Sequence, residues 1–216
     1  MDLSKRLSPY GQKPKRGRPP IAPGASATRQ ALIRAGIEHL TEKGYCGVGV
    51  DEILAFAGVP KGSFYHHFAS KAEFGLALIA AYNAYFLELL DRHFLQPERA
   101  PLDRLRDFTI RAEAGLARHG FRRGCLVGNL GQEMGALPDD FRTALIEALD
   151  GWQARTAQIF RQAQTEGALG AGHDPDILAE TFWTGWEGAV LRAKLELRPE
   201  PLRRFAKTFF QLVEIR

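Results

Sequence analysis

The sequence predicts an all-α protein of about nine helices, and three observations carry that prediction. Apolar residues recur at spacings of three and four through most of the chain. No stretch keeps up the period-two alternation of a strand. Glycine and proline fall between the periodic segments, where helices should stop and start.

Ile33, Ile37 and Leu40 mark a first helix from about Ser26 to Lys43, which Gly44 ends. A short second helix covers Val50 to Ala57, with Asp51 and Glu52 in its first turn and Gly49 as a weak cap. Gly58 breaks it, and Pro60 opens a third helix to about His67. Ser70 caps a long fourth helix, with Glu73 completing a capping box. The stripe Phe74, Leu78, Ala81, Tyr85 and Leu89 carries that helix to about Phe94. An amphipathic helix should follow from Pro101 to His119, then a basic, glycine-bounded connection from Phe121 to Gly124 and a short helix from Cys125 to Met134. Pro138 starts a long helix ending near Gly167, Asp174-Pro175 opens another to about Leu195, and Pro199 and Pro201 frame a last one to Val213.

The 216 residues are enough for one large or two modest domains with a sizeable core. Hydrophobic residues at 45% and charged residues at 25% exclude a disordered chain. Two cysteines, at 46 and 125, exclude a disulfide-stapled fold and a cysteine-rich zinc module. The longest uncharged apolar run, Phe74 to Leu87, contains Asn83 and is too short to span a bilayer. The first residues are charged and hold no apolar signal region. These features lead us to expect a cytoplasmic location and no membrane partner.

Charge is uneven. Residues 1–20 carry six basic side chains against Asp2, a net of +5, which leaves about −1 for the rest. A basic arm on a near-neutral body suits a polyanion such as DNA. We therefore divide the chain into a basic arm (1–25), a helix-turn-helix domain (26–72, motif about 50–68) and a larger helical domain (73–216). The arm's centre, Lys15-Arg16-Gly17-Arg18-Pro19-Pro20, resembles the core of an AT-hook. In that motif an extended backbone lies in a narrow minor groove with arginines pointing inward.

The second and third helices fit a helix-turn-helix. Ile53, Leu54, Ala57, Val59, Phe64 and Phe68 would form its core, with Lys61, Ser63, Tyr65 and His66 facing outward. The string Asp51-Glu52-Ile53 through Ala57-Gly58-Val59-Pro60-Lys61-Gly62-Ser63-Phe64-Tyr65-His66-His67-Phe68, followed by Ser70-Lys71, strongly resembles the TetR family of one-component transcriptional regulators over about residues 28–75. The resemblance implies a dimeric repressor that reads a palindromic double-stranded DNA operator. Carried over by position, Lys61, Tyr65 and Lys71 would meet phosphates, while Gly62, Ser63 and His66 would lie nearest base edges. At the entry to the second helix the family usually has threonine; here Gly49-Val50 removes that hydroxyl contact.

The stretch from Arg118 to Glu133, with Phe182-Trp183-Thr184-Gly185-Trp186-Glu187-Gly188, is similar to TetR-type sensors of reactive electrophiles, and within them to acrylate-responsive repressors. That resemblance implies a homodimer, a small acrylate-like inducer, and a cysteine at Cys125 partnered by a lysine at Lys194. Cys125 follows Arg122 and Arg123 and should begin a helix, where positive charge and free amides favour thiolate. Trp183, Glu187, Val190 and Lys194 share one helix face. We expect a pocket walled by Trp183 or Trp186, with Glu187 on its face and Lys194 as the cation for a small carboxylate. Dimerisation is expected through the last two helices, with Gly185, Gly188 and Ala189 allowing close approach and Trp186, Leu191, Phe205, Phe209 and Val213 supplying apolar area.

Two other functions compete. Cys125 with His119 as base could serve a thiol-dependent enzyme. The sequence shows no metal-ligand cluster, phosphate-binding loop or orienting third group, so no catalytic role, metal or cofactor is expected. An architectural DNA binder without sensing would leave the large C-terminal helical domain unexplained.

Overall fold

The computed structural model of the chain describes residues 23–214, so the arm with Lys15, Arg16 and Arg18 lies outside the described residues. Among the described residues there are nine α-helices and no strand: α1 Pro23–Lys43, α2 Val50–Ala57, α3 Lys61–His67, α4 Lys71–Phe94, α5 Pro101–Ala117, α6 Leu126–Gln132, α7 Asp139–Thr165, α8 Pro175–Glu196 and α9 Glu200–Val213. The all-α prediction holds.

The helix starts follow the predicted chemistry. Ser70 accepts from the Glu73 amide at 3.0 Å, and the Glu73 carboxylate takes the Ala69 amide at 2.7 Å, so both ends of the α4 capping box are made. Asp174 accepts from the Asp176 and Ile177 amides ahead of α8. Gly49 caps α2 with no side-chain bond.

Two ends differ from expectation. α5 stops at Ala117 because Gly120 and Phe121 both adopt positive φ, at 57° each, and the Phe121 amide turns back onto Leu116 O. α6 begins one residue after Cys125, which is its N-cap, and gives way to a 3₁₀ turn at Met134–Ala136.

α7 and α8 lie at the centre, with α4 and α5 against α7 and α9 against α8. Trp152 and Trp183 are fully buried there with ring centroids 5.2 Å apart, and Phe86 and Phe108 pack around them. Each indole N–H has a partner: Trp152 donates to Asn83 Oδ1 and Trp183 to Thr156 Oγ1, both at 2.9 Å. Trp183 was expected to wall a pocket; it belongs to this core instead, because its indole is held against α7. Buried Arg104 is likewise satisfied, donating to Phe94 O, Arg99 O and Gln162 Oε1.

α4 runs over the expected range, from its Ser70 cap to Phe94. Over 24 residues it is long and apolar enough to cross a membrane by length and composition alone, where the run to Leu87 was expected to be too short. Here it packs on α1, α5 and α7. Tyr85, placed in its buried stripe, is exposed, and Ile79, Leu90 and Phe94 are buried. The stripe therefore splits between the core and a cavity wall.

The expected dimer face also shifts. Trp186, Phe209 and Val213 are buried within the subunit, and Gly185 lies directly under the Phe205 ring, which a Cβ would meet at 2.2 Å. Close approach at Gly185 thus joins α8 to α9 of the same chain. The apolar residues left outside on these helices include Leu191, Leu195 and Leu212.

Candidate functional site

α2 and α3 meet at a tight turn. Gly58 adopts φ 64°, and its amide returns to Ala55 O. Ile53, Leu54, Phe64 and Phe68 are buried beneath, with Phe68 4.8 Å from the Phe74 ring of α4. Lys61, Gly62, Tyr65 and His66 face solvent, and Ser63 is half-buried, so α3 presents the expected outward set. Two of the expected cations are already engaged. Lys61 pairs with Asp51 across the turn at 2.9 Å. Lys71 donates to Tyr45 O at 2.8 Å and lies 4.2 Å from the centre of the Tyr45 ring.

In the larger domain two cavities adjoin. The first, of about 370 Å³, has Tyr82, Phe86 and Trp186 among its walls, with Arg34, Arg111 and Arg118 also lining it. These three arginines are exposed and have no carboxylate partner among the described residues. Arg123, also on this lining, is paired with Glu38 of α1. The second cavity, of about 230 Å³, has Asn129 and Lys194 on its lining. Gly124, Cys125, Glu187 and Val190 line both.

The sulfur therefore sits at the partition, though not as a free thiolate. Burial holds the Cys125 thiol well above its ordinary value, and the Glu187 carboxylate adds to the effect; the Gly128 amide and Tyr82 hydroxyl oppose it. This corrects the expectation that helix position and neighbouring arginines favour thiolate: Arg123 is spent on Glu38, and desolvation outweighs the amides. Burial also raises the Glu187 carboxyl to about 7, while a hydrogen bond from Cys125 pulls the other way. Glu187 gets so close because residue 128 is glycine. A Cβ there would lie 2.2 Å from Glu187 Oε2.

Lys194, implied as the partner of Cys125, directs its ammonium to other groups. Its ammonium donates to Thr41 O at 3.2 Å and approaches Asn129 Oδ1 at 3.5 Å, and burial lowers it below its ordinary value. It shares the second cavity with Cys125 and Glu187, while Trp186 lines the first. The helix-face argument thus places Glu187, Val190 and Lys194 together at the cavities and fails for Trp183.

Sequence reasoning missed what ties this site to the helix-turn-helix. Gly124 N, Asn129 Nδ2 and Lys194 Nζ all bond Thr41 O near the end of α1, and Asn129 also bonds Leu40 O. At the far end of α6 the Glu133 carboxylate accepts from the amides of Tyr45 and Cys46. Asn129 and Glu133 stood inside the quoted motif, but no spacing rule assigns them partners nearly ninety positions away. Among the described residues no group of acidic, histidine or cysteine side chains could hold a metal.

A profile of bacterial regulatory proteins of the tetR family matches residues 32–78, and one of the tetracyclin repressor-like C-terminal domain matches residues 101–209. The chain belongs to the TetR family of transcriptional regulators. Among its relatives in this family, it is 71% identical over 198 residues to the transcriptional regulator AcuR of Cereibacter sphaeroides, covering 92% of this chain and 90% of that one. It is 31% identical over 175 residues to the HTH-type transcriptional repressor NemR of Escherichia coli K12, covering 81% and 88%. A crystal structure of a regulatory protein TetR from Rhodobacter sphaeroides superimposes with a TM-score of 0.84 at 71% identity, over 85% of this chain and 97% of that one. Reduced E. coli NemR gives 0.78 at 30% identity, over 85% and 95%. These TetR-family relatives are regulators, and the enzyme reading finds no support among them.

Proposed function

We propose that the protein is a cytoplasmic, homodimeric repressor that binds a palindromic operator and is released by a small electrophilic ligand, acrylate or a close relative, entering the cavity at Cys125. The observation that carries the reading is the continuity of α6. Its N-cap is Cys125 in the cavity wall, and its C-cap residue Glu133 holds the α1–α2 turn of the helix-turn-helix. A ligand that shifts α6 pulls on that turn, and it releases DNA only if it binds better to the arrangement that no longer matches the half-site spacing.

In this reading Lys61, Tyr65 and Lys71 contact phosphates, and Gly62, Ser63 and His66 approach base edges. Lys15, Arg16 and Arg18 of the arm follow the adjacent minor groove. The inducer's carboxylate meets the unpaired arginines or Lys194, with Trp186 and Glu187 beside it. The dimer forms through α8 and α9, where Gly188, Leu191 and Leu195 share one exposed face of α8. The boundaries near 25 and 72 separate arm, reading head and sensing domain.

Mobility shifts with DNA from upstream of the chain's own gene, across an acrylate titration, test the proposal. Operator binding that weakens with acrylate is expected; binding unaffected by acrylate and by other small electrophiles would sink the sensing role.

A further inference from the structure

The lining of the first cavity carries more arginines than carboxylates. Its outer lining carries Arg34, Arg111 and Arg118, exposed and without carboxylate partners among the described residues. At the partition stand the thiol of Cys125 and the carboxyl group of Glu187, with the Tyr82 phenol on the first cavity's side. Lys194 is turned toward Thr41 O and Asn129, and Arg123 is held by Glu38, so both of these cations are already engaged. A carboxylate brought to this point would meet Glu187 in a poorly solvated place, where like charges repel strongly.

Resting on the reading that this cavity admits the inducer, we propose that Glu187 is the general base for Cys125, and that the pair captures α,β-unsaturated carbonyl compounds whose reacting end is uncharged. Glu187 takes the thiol proton as sulfur bonds to the β-carbon. The alkene π pair moves to the α-carbon and carbonyl, and the protonated Glu187 returns the proton to the α-carbon. The net change is addition of S–H across the double bond, with no oxidant or reductant. Gly128 is a positioning residue, since only a hydrogen at that position lets the Glu187 carboxylate lie over the start of α6. The raised carboxyl of Glu187 suits a base working near neutrality. A ligand carrying an anion as well would keep it at the arginine rim, away from the sulfur. Acrylate itself would bind there without forming the adduct.

Intact-mass and peptide mass spectrometry of the full chain with acrylamide, methyl acrylate and acrylate test the idea. Exposed Cys46 serves as the internal reference, and each acceptor's rate is divided by its rate with N-acetylcysteine. The normalised rate at Cys125 should favour the two neutral acceptors over acrylate by about tenfold or more. Glu187→Gln should slow Cys125 labelling by about a hundredfold without slowing Cys46, and should remove the rise in rate through about pH 7. Gly128→Ala, which displaces the carboxylate and keeps it present, should reproduce the loss, and cooperative thermal transitions identify folded variants. An unchanged rate and pH profile in Glu187→Gln, or acrylate labelling Cys125 as well as the neutral acceptors do, would overturn the proposal. So would the absence of any Cys125 adduct. Operator release by acrylate, measured in parallel, would in that last case leave the sensing role standing with the chemistry gone.

Discussion

Glu133 Oε2 accepts a hydrogen bond from the backbone amide of Cys46 at 2.7 Å, joining the end of α6 to the turn between α1 and α2. The other oxygen takes the Tyr45 amide at 3.0 Å, so one carboxylate holds two successive amides of the turn that follows α1. The grip is tight: at Gly44, where φ is +79°, a Cβ would stand 1.7 Å from Glu133 Oε1. A mechanical link between cavity and reading head passes through this contact.

Glu133→Ala should therefore uncouple the two parts. Hydrogen bonds to a charged group contribute about 1.5–3 kcal/mol each, less where water replaces them, so a stability loss of roughly 1–3 kcal/mol is expected. The more telling readout is induction. The variant should keep its ligand affinity while operator release needs more ligand or fails. Unchanged release curves would show that the signal travels another way.

Glu187 gives a pH dependence whose sign is fixed. Its folded carboxyl titrates near 7, above the ordinary carboxylate range, so the folded state binds the proton more tightly than the unfolded chain does. The stabilisation is complete at acid pH and is lost as pH rises toward 7. Glu187→Gln removes this burden and should be more stable than the parent above pH 7, by up to about 3 kcal/mol, with the gain shrinking toward pH 4.5. Chemical denaturation at several pH values would check it; a gain that grows toward acid pH would refute the assignment.

Trp183→Phe should destabilise by about 1–3 kcal/mol, because it removes the indole N–H that Thr156 Oγ1 accepts, leaving that hydroxyl only its own bond to Trp152 O, and opens space beside Trp152. Ligand affinity should change little, since Trp183 lines neither cavity. Trp186→Phe should instead disturb ligand binding, and intrinsic fluorescence titration separates the two.

DNA binding should divide between head and arm. Lys61→Ala or Tyr65→Ala weakens binding to all operator variants alike, because phosphate contacts position without specifying. The Lys61 effect is moderated by release from Asp51, which it holds at 2.9 Å in the free protein. Replacing both Arg16 and Arg18 by alanine should reduce the salt dependence by up to about two counterions and cost most on A·T-rich flanks. An arm variant that binds normally at low and high salt would reduce the arm to a tail.

Leu191→Glu tests the dimer face. Leu191 and Leu195 are 41% and 74% exposed on α8 and suit a helix–helix interface between subunits. A monomeric mass at micromolar concentration is expected for the variant and a dimeric one for the parent.

The helices were legible in the sequence because their signals are local. Ser70 with Glu73, Asp174 with Pro175, and Gly58 set starts and stops through bonds spanning a few residues, and α2 falls on the predicted range Val50–Ala57. The outward set of α3 was legible for the same reason, and so was the presence of Cys125, Glu187 and Lys194 near one another. What surrounds each of these groups was not. Helical periodicity says which residues share a face; it does not say what the face meets. Trp183 and Trp186 are three residues apart, yet one donates to Thr156 in the core and the other lines a cavity, a division made by where α7 crosses α8. The charge state of Cys125 depended on burial and on a carboxylate 62 positions away, admitted by the missing side chain of Gly128. Lys194 turned to Thr41 O, and Glu133 to Cys46, because only the folded chain brings the end of α1 against α6. By itself the sequence determined the elements, the family and the residues available for chemistry. Tertiary packing decided which of them lost water, and burial is what assigns a proton to a thiol or a partner to a lysine.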